Sequence, residues 1–150
     1  MNRPRLLAHA IAARLEELPD LAGNVVVYRR GDIDSEFEKR MGKTRGKMVV
    51  VRVTGAKNES KTKHSYYSCS ISVTLFMVPT LSAKDACDSD EIMADIDAKL
   101  HGWFPDTIPH IGVAWLIADQ ISYIENAQYD VSSITLKTPL MPLANVPPSF

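Results

Sequence analysis

The side chains best suited to chemistry are four histidines, His9, His64, His101 and His110, and two cysteines, Cys69 and Cys87. The histidines fall in different segments. Only Asp97 and His101 stand at i,i+4, a spacing that on a helix lets a carboxylate orient an imidazole. Such a pair needs a nucleophile beside it, and the sequence offers only Cys87 and scattered serines. A surface ion pair near a helix end is the plainer reading. A helix N-terminus near Cys87 would favour its thiolate, but nothing nearby in sequence completes a site. No GxSxG, HExxH, P-loop or GxGxxG motif occurs. Arg30-Gly31-Asp32 matches an integrin tripeptide by chance. The chain is therefore expected to be no enzyme, with no catalytic, cofactor-binding or metal-ligating residue. Two cysteines are too few for a secreted disulfide scaffold and read as reduced thiols of a cytosolic protein. Spacing alone leaves a Cys69–Cys87 pairing open.

Charge placement says more. Residues 39–63 hold nine basic side chains (Lys39, Arg40, Lys43, Arg45, Lys47, Arg52, Lys57, Lys61, Lys63) against Glu59 alone. Residues 85–99 hold Asp85, Asp88, Asp90, Glu91, Asp95 and Asp97 against Lys99. The plainest reading is two solvated patches. A second is nucleic-acid contact, although no aromatic side chains interleave the basic run to form a stacking platform. A third is head-to-tail self-association, in which basic segments of one copy meet the acidic helix of the next; such contacts make rings when the rotation closes. The docking candidates are Arg29, Arg30, Lys39, Arg40, Lys43, Arg45, Lys47, Lys57, Lys61 and Lys63, facing Asp90, Glu91 and Asp95.

At 150 residues the chain suits one compact domain, and its 45% apolar and 23% charged content is that of an ordinary globular protein. A net charge of −1 argues against a globally basic nucleic-acid binder. The N-terminal run is interrupted by His9 and Arg14 and continues its helical period to Leu18, so it reads as a folded helix rather than a signal peptide. No stretch is long enough to span a membrane.

Leu7, Ala10, Ile11, Leu15 and Leu18 mark a helix from Pro4 to Pro19. Asn24–Tyr28, with the β-branched run Val25-Val26-Val27, predicts a short strand. Residues 29–47 form a charged, glycine-bearing loop longer than most connections, which points to a functional or partly disordered segment. Met48–Thr54 and the alternating Tyr67–Met77 pattern predict a hairpin with a basic tip, its second strand apolar on one face and hydroxyl-bearing on the other. Ser89 or Asp90 caps a second helix with Ile92, Met93, Ile96 and Leu100 on its buried stripe. Val113, Trp115, Ile117, Ile121 and Tyr123 predict a fourth strand. Tyr129–Thr138 predicts a fifth, with a bulge where Val131 and Ile134 change phase. The expected fold is α+β: a two-layer sandwich of a mostly antiparallel four- to five-stranded sheet with two helices on one face, in the order α-β-β-β-α-β-β. Residues 1–138 form the domain, and 139–150 a Pro-rich extended tail.

The N-terminal helix, the charged loop, the long strand opening on Tyr66-Tyr67, the acidic helix and the closing Asp130–Thr138 strand resemble the tail terminator (tail completion) proteins of long-tailed phages. The likeness spans about residues 4–138. It implies a non-enzymatic virion protein, commonly a hexameric ring, that caps the tail tube, ends polymerisation and offers a face to head-completion proteins. The implied partners are further copies of itself, the tail tube protein and a head-completion protein, with no membrane and no nucleic acid beyond DNA passing through the lumen. The implied location is the bacterial host cytoplasm during assembly and then the virion tail. Another head–tail connector or tail-tube component, a nucleic-acid module using residues 39–63, and lastly a small hydrolase are the alternatives.

Overall fold

The computed structural model describes residues 3–28, 46–59, 67–78, 89–108, 116–124 and 129–138. The loop at 29–45, the hairpin tip, Cys87, His64, His110, Val113, Trp115 and the Pro-rich tail lie outside them. The elements are α1 (Arg3–Leu15), β1 (Val25–Val27), β2 (Lys47–Asn58), β3 (Tyr67–Met77), α2 (Ser89–Leu100), β4 (Ile117–Ile124) and β5 (Asp130–Lys137). The fold is α+β in the expected order.

Pro4 sits in the first turn of α1, where its missing N–H has no partner to lose. Leu7, Ala8, Ile11 and Leu15 form its buried stripe, Ala8 replacing the expected Ala10. The helix stops at Leu15 rather than at Pro19. Proline cannot donate to the carbonyl of Leu15 and disfavours helical geometry at Leu18; that carbonyl instead accepts the N–H of Leu18 at 3.0 Å in a tighter turn. The Glu16 carboxylate then accepts the N–H groups of Gly23 and Val25, fastening the entry to β1. Gly23 makes this turn at φ +78°, a left-handed conformation that suits glycine.

The sheet order is β1-β2-β3-β5-β4. All pairs are antiparallel except β1 with β2, which is parallel, so the sheet is mixed. Parallel neighbours need a crossover of a dozen or more residues. Topology alone therefore accounts for the length of the 29–45 connection, which need not mark a functional loop. The β2–β3 hairpin forms as expected, but β2 runs on to Asn58 through a register shift between Val53 and Gly55.

In β3, Cys69, Ile71, Val73, Leu75 and Met77 are buried, as the alternation predicts. They pack with Val49 and Val51 of β2, Ile134 and Leu136 of β5, and the apolar stripes of both helices in one core. The other face of β3 carries Ser68, Ser70, Ser72 and Thr74, with Thr74 and Ser133 hydroxyls 3.0 Å apart. That face is not hydroxyl throughout: Met48 and Val50 form a second apolar cluster with Val26, Tyr28, Phe76, Val78 and Tyr129.

One expectation fails in the last strands. The bulge lies in β4, between Ala118 and Gln120, whereas β5 pairs without interruption along β3. Val131 is out of phase with Ile134 because it faces the opposite side of the sheet, paired with Phe76 and Ile124. The expected fourth strand forms as β4 at an edge of the sheet, where Ile117, Ile121 and Tyr123 are exposed. At the start of α2 the Ser89 hydroxyl donates to the Asp130 carboxylate at 3.0 Å, joining the helix to β5.

The helices are joined near their C-terminal ends. Arg14 Nε donates to the Lys99 carbonyl at 2.7 Å, and its guanidinium lies 4.7 Å from the centre of the Trp103 ring. A cation at the last carbonyls of a helix meets the negative end of its dipole. Lys99 Nζ in turn sits 3.0 Å from the Glu17 carboxylate. The hydrogen bond from Lys99, and then its charge, hold the Glu17 carboxyl below its ordinary value. Because the folded value is depressed, this pair contributes above the ordinary carboxylate range and fades as pH falls through the lowered value. Lys99→Met is expected to raise the Glu17 titration midpoint measured by NMR.

Ser132, fully buried on the helix side of β5, has a hydroxyl without a hydrogen-bond partner. An orphaned buried polar group costs about 1–3 kcal/mol. Ser132→Ala is expected to raise the thermal midpoint by about 2–4 °C, the shift produced by roughly 1 kcal/mol in a domain of this size.

Candidate functional site

Among the described residues, those with chemical potential are not assembled into a reacting centre. Cys69 lies in the middle strand of the sheet as a free, buried thiol. Burial pushes its pKa up, which makes it a packing residue rather than a nucleophile. His101 uses Nδ1 to accept the Ala118 N–H at 3.0 Å. Its side chain therefore secures the start of β4 and does not pair with Asp97. His9 is on the exposed side of α1, away from both. Among the described residues, no three of His, Cys, Asp and Glu converge as a metal site would require.

Of the charged docking candidates, Lys47, Lys57, Asp90, Glu91 and Asp95 are among the described residues; Arg29, Arg30, Lys39, Arg40, Lys43, Arg45, Lys61 and Lys63 are not. Lys47 opens β2 and Lys57 stands near its far end. Ten strand residues separate them by about 33 Å, so the two belong to opposite ends of the hairpin rather than to one patch. They also face opposite ways, Lys47 pairing with core-facing Met77 and Lys57 with Ser68. Lys57 is 4.0 Å from Glu59 across an exposed ion pair, a contact of small energetic weight. Asp90, Glu91 and Asp95 lie together on the exposed side of α2, Asp90 and Glu91 in its first turn, where the helix dipole favours negative charge. Ser89 meets Asp130, which pairs with Met77, which pairs with Lys47. The acidic turn and Lys47 therefore share one end of the sheet.

A groove of about 450 Å³ lies between the start of α1 and the outer half of β2, with Arg5, Tyr28, Arg52 and Thr54 in its walls. Its polar groups have internal work: the Arg52 guanidinium stacks 4.5 Å from the Tyr28 ring centre, and the Thr54 hydroxyl donates to the Ser70 carbonyl at 3.1 Å.

The most exposed apolar surface is on β4. Among the described residues, the exposed large hydrophobic side chains are Ile117 at 46%, Ile121 at 42%, Tyr123 at 67% and Ile124 at 50%, all on this one strand. Single exposed apolar residues are ordinary, whereas these four gather on one eight-residue edge strand. The bulge divides them between the faces: Ile121 and Tyr123 share the helix side with Ile134 and Ser132, while Ile117 and Ile124 share the far side with Lys137 and Val131. The only charged side chain within β4 is Asp119, 3.6 Å from Lys137 of the next strand.

Sequence reasoning placed Ile117, Ile121 and Tyr123 in a fourth strand without placing that strand at an edge. The available signal was the run Ile117-Ala118-Asp119-Gln120-Ile121-Ser122-Tyr123-Ile124, whose apolar positions fit no single period-two face. No helix among the described residues is long and apolar enough to cross a membrane. No protein-family model matches the chain, and no curated protein matches it at a significant level.

Proposed function

We propose that this chain is a structural assembly protein of a phage tail, a ring-forming terminator that caps the tail tube, ends its polymerisation and presents a head-joining face. The observation that carries the reading is the exposed acidic side of α2, a concentration of charge that a basic segment of a neighbouring copy can meet. Opposite charges on different patches suit a head-to-tail contact, the kind that closes into a ring, and complementary fields set register and association rate more than affinity. The element order, with the long alternating β3 inside the sheet, supports the same reading. A nucleic-acid module using residues 39–63 is less well supported, because Lys47 and Lys57 stand at opposite ends of the hairpin.

The test is negative-stain imaging and light scattering of the protein with and without purified tail tubes. Rings seated on tube ends are expected. Reversing Asp90, Glu91 and Asp95 to lysine, or Lys43, Arg45 and Lys47 to glutamate, is expected to abolish seating while circular dichroism remains native. Tubes that stay uncapped by the unaltered protein, or capping that survives both reversals, would overturn the proposal.

A further inference from the structure

We propose that the groove between α1 and the outer half of β2 receives the acidic side of α2 from a second copy of this chain, with the Arg52 guanidinium set between Glu91 and Asp95. The proposal rests on the head-to-tail reading above and assigns the two surfaces that meet.

The groove lies where the sheet changes width. β1 ends at Val27, opposite Val51, while β2 continues to Asn58. The groove runs beside that continuation, walled by Pro4 and Ala8 of α1 and by Val53, Gly55 and Ala56 of β2. Arg52 stands exposed in the same wall, its guanidinium 4.5 Å from the centre of the Tyr28 ring. Stacking uses the face of a guanidinium, whereas its N–H groups lie in its plane. Arg52 can therefore keep Tyr28 and donate to a carboxylate at once, with the ring fixing its orientation beforehand. α1 opens on this groove with no acidic residue in its first turn, so the positive end of the helix dipole adds to the field of Arg52.

The acidic side of α2 has the matching form. Glu91 and Asp95 are exposed and one turn apart, a spacing at which like charges work against the helix. Lys99 stands a further turn on, at the spacing that would pair with Asp95, but its ammonium is held 3.0 Å from Glu17. A cation brought by a neighbour relieves the repulsion. Ala94 and Ala98, exposed beside the two carboxylates, carry only a methyl group each. The helix can thus lie close against walls of alanine, glycine and proline. A groove of about 450 Å³ takes side chains from one helix face, the manner in which helices seat anchors one turn apart.

The occupant is a second copy rather than the same one. α1 packs on β1 and β2, and α2 packs on β5 and β3, so the groove and the acidic side belong to opposite halves of the sheet. Each copy carries one of each surface. Their union is heterologous, which generates a ring where the rotation closes. A contact led by charge sets encounter rate and register, and it weakens with salt.

Sedimentation velocity of the full chain, without tail tubes and up to millimolar concentration, is the test. Association is expected in about 0.01 M salt and should weaken at about 0.1 M, as the screening length falls from about 30 to about 10 Å. Arg52→Glu alone, and Glu91→Arg with Asp95→Arg, should each weaken it by at least about tenfold, because like charges then face each other. Combining all three substitutions in one chain should restore it, which loss of folding could not do. A monomer under all conditions, reversals without effect, or no restoration in the combined variant would overturn the proposal. Rings on tube ends that withstand Arg52→Glu would overturn this contact and leave the tail reading standing. Self-association with the stated charge dependence, by a protein that leaves tube ends bare, would support the contact and remove the tail reading.

Discussion

One-sided burial of β3 is the constraint on which the rest of the structure depends. This strand has an antiparallel neighbour on each side and turns Cys69, Ile71, Val73, Leu75 and Met77 into the core. A slip of one residue would exchange that row for Ser68, Ser70, Ser72 and Thr74. The register of β2 and β5 follows from it, since Val49, Val51, Ile134 and Leu136 must complete the same floor. Both helices then have one side to cover, and the Arg14–Lys99–Glu17 contacts hold them together over it.

Closing the core this way leaves two sheet edges in unequal condition. β1 is short, and the Glu16 carboxylate occupies part of its outer backbone. β4 is longer, and Trp103 and His101 hold its start through Leu116 and Ala118. Among the described residues, Cys69 is spent on packing and His101 on holding a strand start. The described surface carries an apolar strand edge and an acidic helix side, which is the basis for the proposed reading of the chain as an assembly protein.

Much of the fold was legible in the residues because the signals were local. The period of β3, the stripe Ile92-Met93-Ile96-Leu100 and the β-branched run Val25–Val27 each determine their element without long-range information. The early end of α1 was less legible, since it depends on how Pro19 and Glu16 share the backbone groups of the following turn. The β4 edge left only one trace, the mixed phase of its apolar positions. Its apolar residues look like core until strand order is known, and the insertion of β5 between β3 and β4 leaves no local mark. The charge blocks were visible as composition, but their placement was not: Lys47 and Lys57 look contiguous in sequence and are separated by the length of a strand.

The position of β5 also bears on how the protein is made. The last described strand is an inner strand of the sheet, so β3 has a vacant flank and β4 lacks its neighbour until residue 137 has left the ribosome. Synthesis therefore passes through a stage in which the largest apolar strand is only half enclosed, and an unpaired flank of that kind invites pairing with other nascent chains. The C-terminal strand thus acts as the closing piece of the domain, and a truncated product lacking it would be the species most dependent on chaperones.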